Sequence, residues 1–423
     1  MQWFDSVTIS SVRAGYSRLS LSQPILSENG TGRSGFTLDA ESYYKLSDRS
    51  TVWGTASYST MRSVDAKWSN SIDYELLAPY VLGDSVGGNI QRQKYSFSGG
   101  WCRKYSLWTF GVDASYRAEV AYRAHDPRIH DIVSDLSIRT SVARRPSDRF
   151  LLGVGVGIRT YHQVSNVEFV NPMNDIQTYP LTGLGTFYRR FTGNNNKSAA
   201  HSLFSFSGTV QLLSTGSEGP KVAAHFIHSR VSMQLRSYNN ITLGQTNTDI
   251  VNLQAAWGIG LTERWSIVPA VFVSHRMRSG IEMLFGSALG SAYEKIGERP
   301  NYSSRATVLR ALLPLQYVMG EGTLAFSLAY TYLRSAQSLK DPALRSEASH
   351  SLPSLCVVAS KVCGRWLIRG EAEGYFASRC NGLTVGAALE RYVGAGTLGL
   401  RLSYTRLSLH ALQSVNSYIY FIF

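Results

Sequence analysis

The 423-residue sequence lacks any run of about 18 mostly apolar residues, which is the length that a membrane-spanning helix needs. The mean hydropathy is -0.10, so the sequence does not indicate a helical membrane protein. Cysteine is scarce, and the four residues are Cys102, Cys356, Cys363 and Cys380. They include no CxxC pair, so their spacing indicates neither a zinc site nor a particular disulfide pairing.

A secretion signal is also absent from the start of the sequence. Met1 is followed at once by Gln2, Trp3 and Phe4, without a basic segment, an apolar segment or a small-residue cleavage site. We expect that a signal peptide has been removed from this sequence, because the strand pattern described next indicates an exported protein.

The sequence is rich in tyrosine and glycine, with 24 and 37 residues, and it alternates between apolar and polar residues over long segments. One face of the segment 108–120 is Trp108, Phe110, Val112, Ala114, Tyr116, Ala118 and Val120, and the other is Thr109, Gly111, Asp113, Ser115, Arg117 and Glu119. Similar alternation recurs over 251–261, 324–332, 366–376 and 398–405. Strands of soluble sheets usually have about 5–6 residues, so these segments predict longer, two-faced strands.

Alternation alone fits both a soluble β-sandwich and a membrane barrel, which turns its apolar face to lipid. Aromatic residues near strand ends, such as Trp108, Trp265 and Trp366, are typical of the interfacial girdles of a barrel. Short turns also alternate with long connections, and strands are further assigned near Val12–Leu21 and Thr186–Thr192.

The sequence therefore predicts an all-β fold, a transmembrane antiparallel up-and-down β-barrel of about 18 strands, with about 16 as the alternative. Residues 1–423 form a single outer-membrane domain in this interpretation, with short periplasmic turns on one side. Long extracellular loops are predicted near residues 64–89, 164–200 and 279–302.

The last segment, 418–423, carries the most specific local signal. Ile419, Phe421 and Phe423 share one face, which resembles the assembly signal that outer-membrane proteins present to the barrel-assembly machinery. The Tyr- and Arg-rich strands resemble the uncharacterised outer-membrane barrels of Bacteroidota. That resemblance implies a TonB-dependent transporter and surface lipoproteins as partners.

The formal net charge is +13, but the basic residues are spread along strands and loops, so no nucleic acid is expected as a partner. Charged residues on the polar faces are expected in the lumen: Arg117, Arg139, Arg159, Arg310, Arg369, Arg401, Asp113, Glu119, Asp135, Glu371, Glu373 and Glu390. They fit either a rigidifying network of ion pairs or a water-filled pore that favours anions. Surplus cations near the loops can bind lipopolysaccharide phosphates.

Two motifs suggest chemistry at first sight. The segment 153–157, Gly-Val-Gly-Val-Gly, has no following helix and fits small lumen residues better than a nucleotide loop. His125, Asp126, His130 and Asp131 fit a solvated loop better than a metal site. We therefore predict no catalytic residues, cofactor or metal, and a non-enzymatic barrel that is a passive pore or the membrane component of an uptake or assembly complex. The alternative is an outer-membrane hydrolase of lipid or peptide with its active site at the extracellular rim.

Overall fold

The computed structural model describes residues 8–24, 26–171, 173, 175–289, 292–377, 380–393, 396–407 and 412–422. The described residues form a closed antiparallel barrel of 18 strands. The strands are β1 (Ile9–Ser20), β2 (Gly32–Ser47), β3 (Ser50–Ala66), β4 (Gly88–Tyr105), β5 (Trp108–Tyr122), β6 (Arg128–Ser147), β7 (Phe150–Glu168), β8 (Lys197–Ser214), β9 (Gly219–Leu235), β10 (Ile241–Gly260), β11 (Trp265–Ile267 and Ala270–Leu289), β12 (Ala292–Met319), β13 (Gly322–Leu339), β14 (Leu344–Cys363), β15 (Trp366–Ala377), β16 (Cys380–Val393), β17 (Gly396–Leu407) and β18 (Leu412–Ile422). None of the helices in this part of the chain is long and apolar enough to cross a membrane.

The barrel closes where the first strand meets the last. β1 and β18 are antiparallel, from Ser11 opposite Ile422 to Ser20 opposite Gln413. β11 is interrupted at Val268 and Pro269, and both of its parts pair with β10 and β12. The predicted all-β, closed antiparallel barrel of 18 strands is confirmed.

The two faces of each strand differ as the alternation predicts. On β7 the outward residues Leu152, Val154, Val156 and Ile158 are each about half exposed, whereas the inward residues Tyr161, Gln163 and Ser165 are buried. Successive side chains of a strand point to opposite faces, so a single apolar stripe per strand produces an apolar band around the outside of the barrel.

The apolar band has a visible edge on β9 and β10. Phe226 and Val251 belong to the band and are exposed, and the next outward residues are His228 and Asp249, whose Nδ1 and Oδ1 atoms lie 2.7 Å apart. A hydrocarbon core needs only about 9–11 residues of a tilted strand. Because β9 and β10 have 17 and 20 residues, they continue beyond the band.

Tryptophans mark the opposite edge of the band. Trp108, Trp265 and Trp366 each begin a strand directly after a turn. Trp108 lies under the guanidinium of Arg144 and Trp366 under that of Arg391, with 5.3 and 5.2 Å to the ring centroids. Amphipathic rings beside cations are typical of the membrane–water interface.

The connections at the two ends of the barrel differ in length. Residues 48–49, 148–149, 320–321 and 364–365 are short turns at the end where β1 begins and β18 ends. At the other end, residues 67–87 and 169–196 separate consecutive barrel strands. We call these the turn end and the loop end.

Two predicted elements of the loop end differ from the structure. The segment 279–302 is not an irregular loop: β11 and β12 continue through its described residues as a paired hairpin, with bulges near Gly280 and Phe285. Thr186–Thr192 is not a barrel strand either, because Thr186–Phe187 pairs with Leu181 and Gly183 and a single 3-10 turn follows.

Candidate functional site

The connection 67–87 folds into the lumen, and we call it the plug segment. It contains one helical turn, α1 (Tyr74–Leu77), and a short strand, Leu82–Asp84. That strand pairs with residues 178–180 of the next long connection. The two long connections therefore form one small sheet inside the barrel.

An apolar core surrounds the plug segment. Leu77, Tyr80, Val81 and Leu82 are at most 2% exposed. They belong to one cluster with inward residues of the wall: Ile90, Ala121, Ile129, Val133, Tyr161, Val167, Ala199, Leu203, Val231, Met233, Leu235 and Leu243. These side chains are at most 5% exposed, so the cluster excludes water from this part of the lumen. Burying one aliphatic side chain contributes roughly 1.5–3 kcal/mol.

A network of charged side chains joins the plug segment to the wall. Arg117 Nη2 lies 2.5 Å from Asp73 Oδ2 and 3.1 Å from Asp135 Oδ2, and Arg117 Nη1 lies 3.1 Å from Glu119. Arg159 Nε binds the other oxygen of Asp135 at 2.8 Å. The structure thus brings together four of the predicted lumen residues around Asp73, which sequence reasoning missed.

Donors on the far wall hold the main chain of the plug segment. Arg278 Nη1 donates to the carbonyl of Ala78 at 2.5 Å, and His201 Nε2 lies 2.9 Å from the carbonyl of Tyr80. Gly244 makes room for the Tyr80 ring, because a Cβ there would lie 2.6 Å from ring atoms. The plug segment therefore spans from β5, which carries Arg117, to β11, which carries Arg278.

A buried ion pair fixes the end of the plug segment. Arg123 Nη2 lies 2.7 Å from Asp84 Oδ2, and the two side chains are 2% and 0% exposed. Asp84 also accepts the backbone N–H of Gly87 at 2.7 Å, and Arg123 Nε donates to the carbonyl of Pro127 at 2.6 Å. Removing one member of such a pair leaves the other charge buried without compensation.

We expect Arg123→Gln to lower the free energy of local opening of the plug segment by about 3 kcal/mol. Hydrogen exchange of the Trp68 and Asn70 amides, which donate to the carbonyls of Asp84 and Leu82, measures this opening. The control is Arg128→Gln. Arg128 pairs with Asp126 and its side chain is half exposed, so the pair contributes less than about 1 kcal/mol to stability. Equal protection in the two variants would contradict a clamping role for Arg123.

The other predicted charged residues form separate groups nearer the turn end. Arg401 Nη2 contacts both oxygens of Glu371 at 2.7 and 2.9 Å, and Arg369 Nη2 lies 4.0 Å from Glu371. Tyr420 donates to Glu390 at 2.5 Å, Tyr375 to Glu373 at 2.7 Å, and Arg139 to Asp113 at 2.8 Å. Arg310 lies opposite Phe272 and Thr331 on the adjacent strands, and no carboxylate of the described chain lies within 4.0 Å of it.

Strand register relates these groups to the plug network. Arg401 lies opposite Tyr418, and the opposite residues around the sheet continue through Gly15, Thr37, Ser59 and Lys94 to Glu119. Paired residues of a sheet share a face, so Arg401 lies on the same inward face as Glu119. Ile419 and Phe421 lie on the outward face and are exposed, and Phe423 lies outside the described residues.

The remaining motifs show no convergent chemistry. Asp126 accepts the backbone N–H groups of Asn171 and Val170, both at 2.9 Å, and the bond from Asn171 lowers the pKa of the Asp126 carboxyl below its ordinary value. It thus ties two loop-end connections together. Within the described residues, no group of three or more His, Cys, Asp and Glu side chains could hold a metal ion. Cys102, Cys356 and Cys363 are free thiols.

Comparisons with known proteins give one family and a set of similar barrels. The model of the family described as "Family of unknown function (DUF6850)" matches residues 1–406, and no curated protein sequence matches the chain. Similar solved structures include the copper transporter OprC (9% identity, TM-score 0.48, 97% of this chain and 80% of that chain). A siderophore receptor of Acinetobacter baumannii (6%, 0.46, 98% and 80%) and a variant of the ferric enterobactin receptor of Pseudomonas aeruginosa (8%, 0.45, 98% and 80%) are similar too.

Proposed function

The chain belongs to the family of unknown function DUF6850, and we propose that it is an integral outer-membrane barrel that serves a larger uptake or assembly complex as its membrane component. The observation that carries this proposal is the plug segment, which folds into the lumen and buries Leu77, Val81 and Leu82 there. A passive pore needs a continuous water-filled lumen, and this one holds an apolar core. We propose no enzymatic activity for the chain itself.

The outward band supports a location in a membrane. Exposed Leu152, Val154, Val156 and Ile158 on one strand, and their equivalents on its neighbours, would face water in a soluble protein. A closed sheet satisfies its backbone groups internally, which the hydrocarbon core requires. Barrels with an even number of strands and short turns at the end that carries both termini are typical of bacterial outer membranes.

The orientation and the partners follow from the same interpretation. Short turns face the periplasm in outer-membrane barrels, so the plugged loop end faces outward. Beyond the edge of the apolar band, the exposed Arg230 donates to Gln245 on the outward face. Cations at this level would contact lipopolysaccharide phosphates. The Bacteroidota resemblance adds a TonB-dependent transporter and surface lipoproteins as proposed partners, and the barrel-assembly machinery would insert the chain.

Purification at native expression level tests the proposal. We expect a tagged chain, extracted from outer membranes in mild detergent, to retain at least one integral or lipid-anchored partner in fixed proportion. The control is the same extraction with Arg139→Gln, which alters a lumen residue near the turn end and no outward surface. Recovery of the chain alone, combined with stable open steps in planar bilayers, would instead indicate a passive pore.

A further inference from the structure

Beside the plug segment lies a cavity of about 700 Å³ lined by plug residues Ser71–Leu76 and by the wall. Its wall carries six arginines, Arg33, Arg92, Arg117, Arg159, Arg276 and Arg278. We propose that this arginine cavity binds a small solute with two or more carboxylate or phosphate groups. Sites for small ligands have volumes of about 300–1,000 Å³, so the cavity has the size of a binding site.

Two of the six arginines are already neutralised by acids of the cavity. Arg117 contacts Asp73 and Asp135, and Arg159 contacts Asp135. Glu119, which is 6% exposed, is also held by Arg117. These carboxylates stabilise the plug segment, and their charges are already paired with Arg117 and Arg159.

The other four arginines form no ion pair with the described residues. No carboxylate of the described residues lies within 4.0 Å of Arg33, Arg92, Arg276 or Arg278. Glu28 and Glu75 are the remaining acids that line the cavity, so the unpaired groups carry an excess of positive charge. A desolvated charge is costly unless a partner of opposite sign compensates it.

Arg278 shows this imbalance most clearly. Its side chain is buried, at 8% exposure, yet among the described residues its guanidinium donates to neutral oxygens alone, those of Thr248 and Ala78. The buried Nε of Arg92 has no hydrogen-bond partner among the described residues. Both groups line the same cavity, so an anion there would meet a buried guanidinium that no carboxylate of the described residues contacts and a buried N–H donor without an acceptor.

The positions of the arginines determine the class of ligand. Arg33 and Arg92 lie on β2 and β4, whereas Arg276 and Arg278 lie on β11, nine strands further around the ring from β2. The two pairs of arginines therefore lie on opposite sides of the 18-strand ring. A solute with separated anionic groups would contact both, through the planar, two-pronged hydrogen bonds that guanidinium forms with carboxylate and phosphate.

Isothermal titration calorimetry on the folded, full-length chain in neutral detergent tests the proposal. Pyrophosphate and citrate are the two probes, and they distinguish a phosphate site from a carboxylate site. We expect saturable binding of at least one probe with one site per chain. The double variant Arg33→Gln/Arg276→Gln should weaken it by at least about tenfold, because each charged hydrogen bond is worth a factor of that size.

The matched control is Arg139→Gln, because Arg139 is a lumen arginine that pairs with Asp113 and does not line the cavity. It should change the affinity by less than about twofold. Arg33→Lys/Arg276→Lys, which keeps the charge but loses the two-pronged geometry, should retain intermediate affinity and serves if the Gln variant fails to fold. Absence of binding to both probes, or an equal loss in the Arg139→Gln control, would overturn the proposal while leaving the role of the barrel in a complex intact.

Discussion

Replacing residues 68–86 by a four-residue Gly-Ser linker is expected to raise the conductance of the barrel in planar bilayers several-fold. The linker can bridge the gap, because Ala66 and Gly88 are directly paired across β3 and β4. The replacement removes Leu77, Tyr80, Val81 and Leu82 from the lumenal core. It also removes the partner strand of residues 178–180, so the second long connection loses its main support inside the barrel.

The barrel itself should survive this change. The wall is held by ladders of backbone hydrogen bonds between adjacent strands, and plug residues contribute nothing to them. The control is the same linker inserted between the exposed residues Pro342 and Ala343, at the same end of the barrel. That insertion should leave the conductance unchanged. If the replacement and the insertion conducted equally, the plug segment could not be what limits passage through the lumen.

The wall could be predicted because the residue pattern of each strand shows which of its faces is apolar. A residue such as Phe110 is outward for the same local reason as Val112: the side-chain period of a strand is two. The length of the alternating segments added a second constraint, because strands of soluble sheets usually have about 5–6 residues. Antiparallel order and the inward face of Arg401 therefore followed from local pattern, whereas the strand number was left between about 18 and about 16.

The plug segment could not be predicted in the same way. Its position depends on contacts far apart in sequence, such as Arg117 with Asp73 and Arg278 with Ala78. One signal was available, because residues 76–82 (Leu-Leu-Ala-Pro-Tyr-Val-Leu) are too apolar for a loop in water. An apolar run inside a long connection of a barrel indicates a segment that folds inward.

The arginine cavity was missed for a related reason. Arg276 and Arg278 share the inward face of β11, but the segment from residue 279 onward was interpreted as a loop, which obscured the strand that contains them. Arg33 lies at the start of β2, just after a connection. Near the loop end, the residues flanking a position show little apolar–polar alternation, so the sequence says least about which way a side chain points. The plug segment fills the lumen at this same end.

A charge placed on the outward face tests the assignment on which the whole interpretation depends. Leu400 is an exposed outward residue near the middle of β17, and it lies opposite Ile419 and Leu389 of the adjacent strands. We expect Leu400→Arg to lower the free energy of unfolding by about 2–4 kcal/mol, because the guanidinium would enter the hydrocarbon core. Guanidinium chloride unfolding of the chain in phospholipid vesicles measures this loss.

The matched variant is Ser403→Arg, three residues along the same strand and on the opposite face. Ser403 shares the inward face with Arg401, so a new guanidinium there would remain in the aqueous part of the lumen and should cost less than about 1 kcal/mol. Arginine has the same strand-forming preference at both positions. The difference between the two variants therefore measures the effect of the environment on each face. Equal costs would mean that both faces of β17 meet the same medium, and a membrane barrel would then be the wrong interpretation of this sheet.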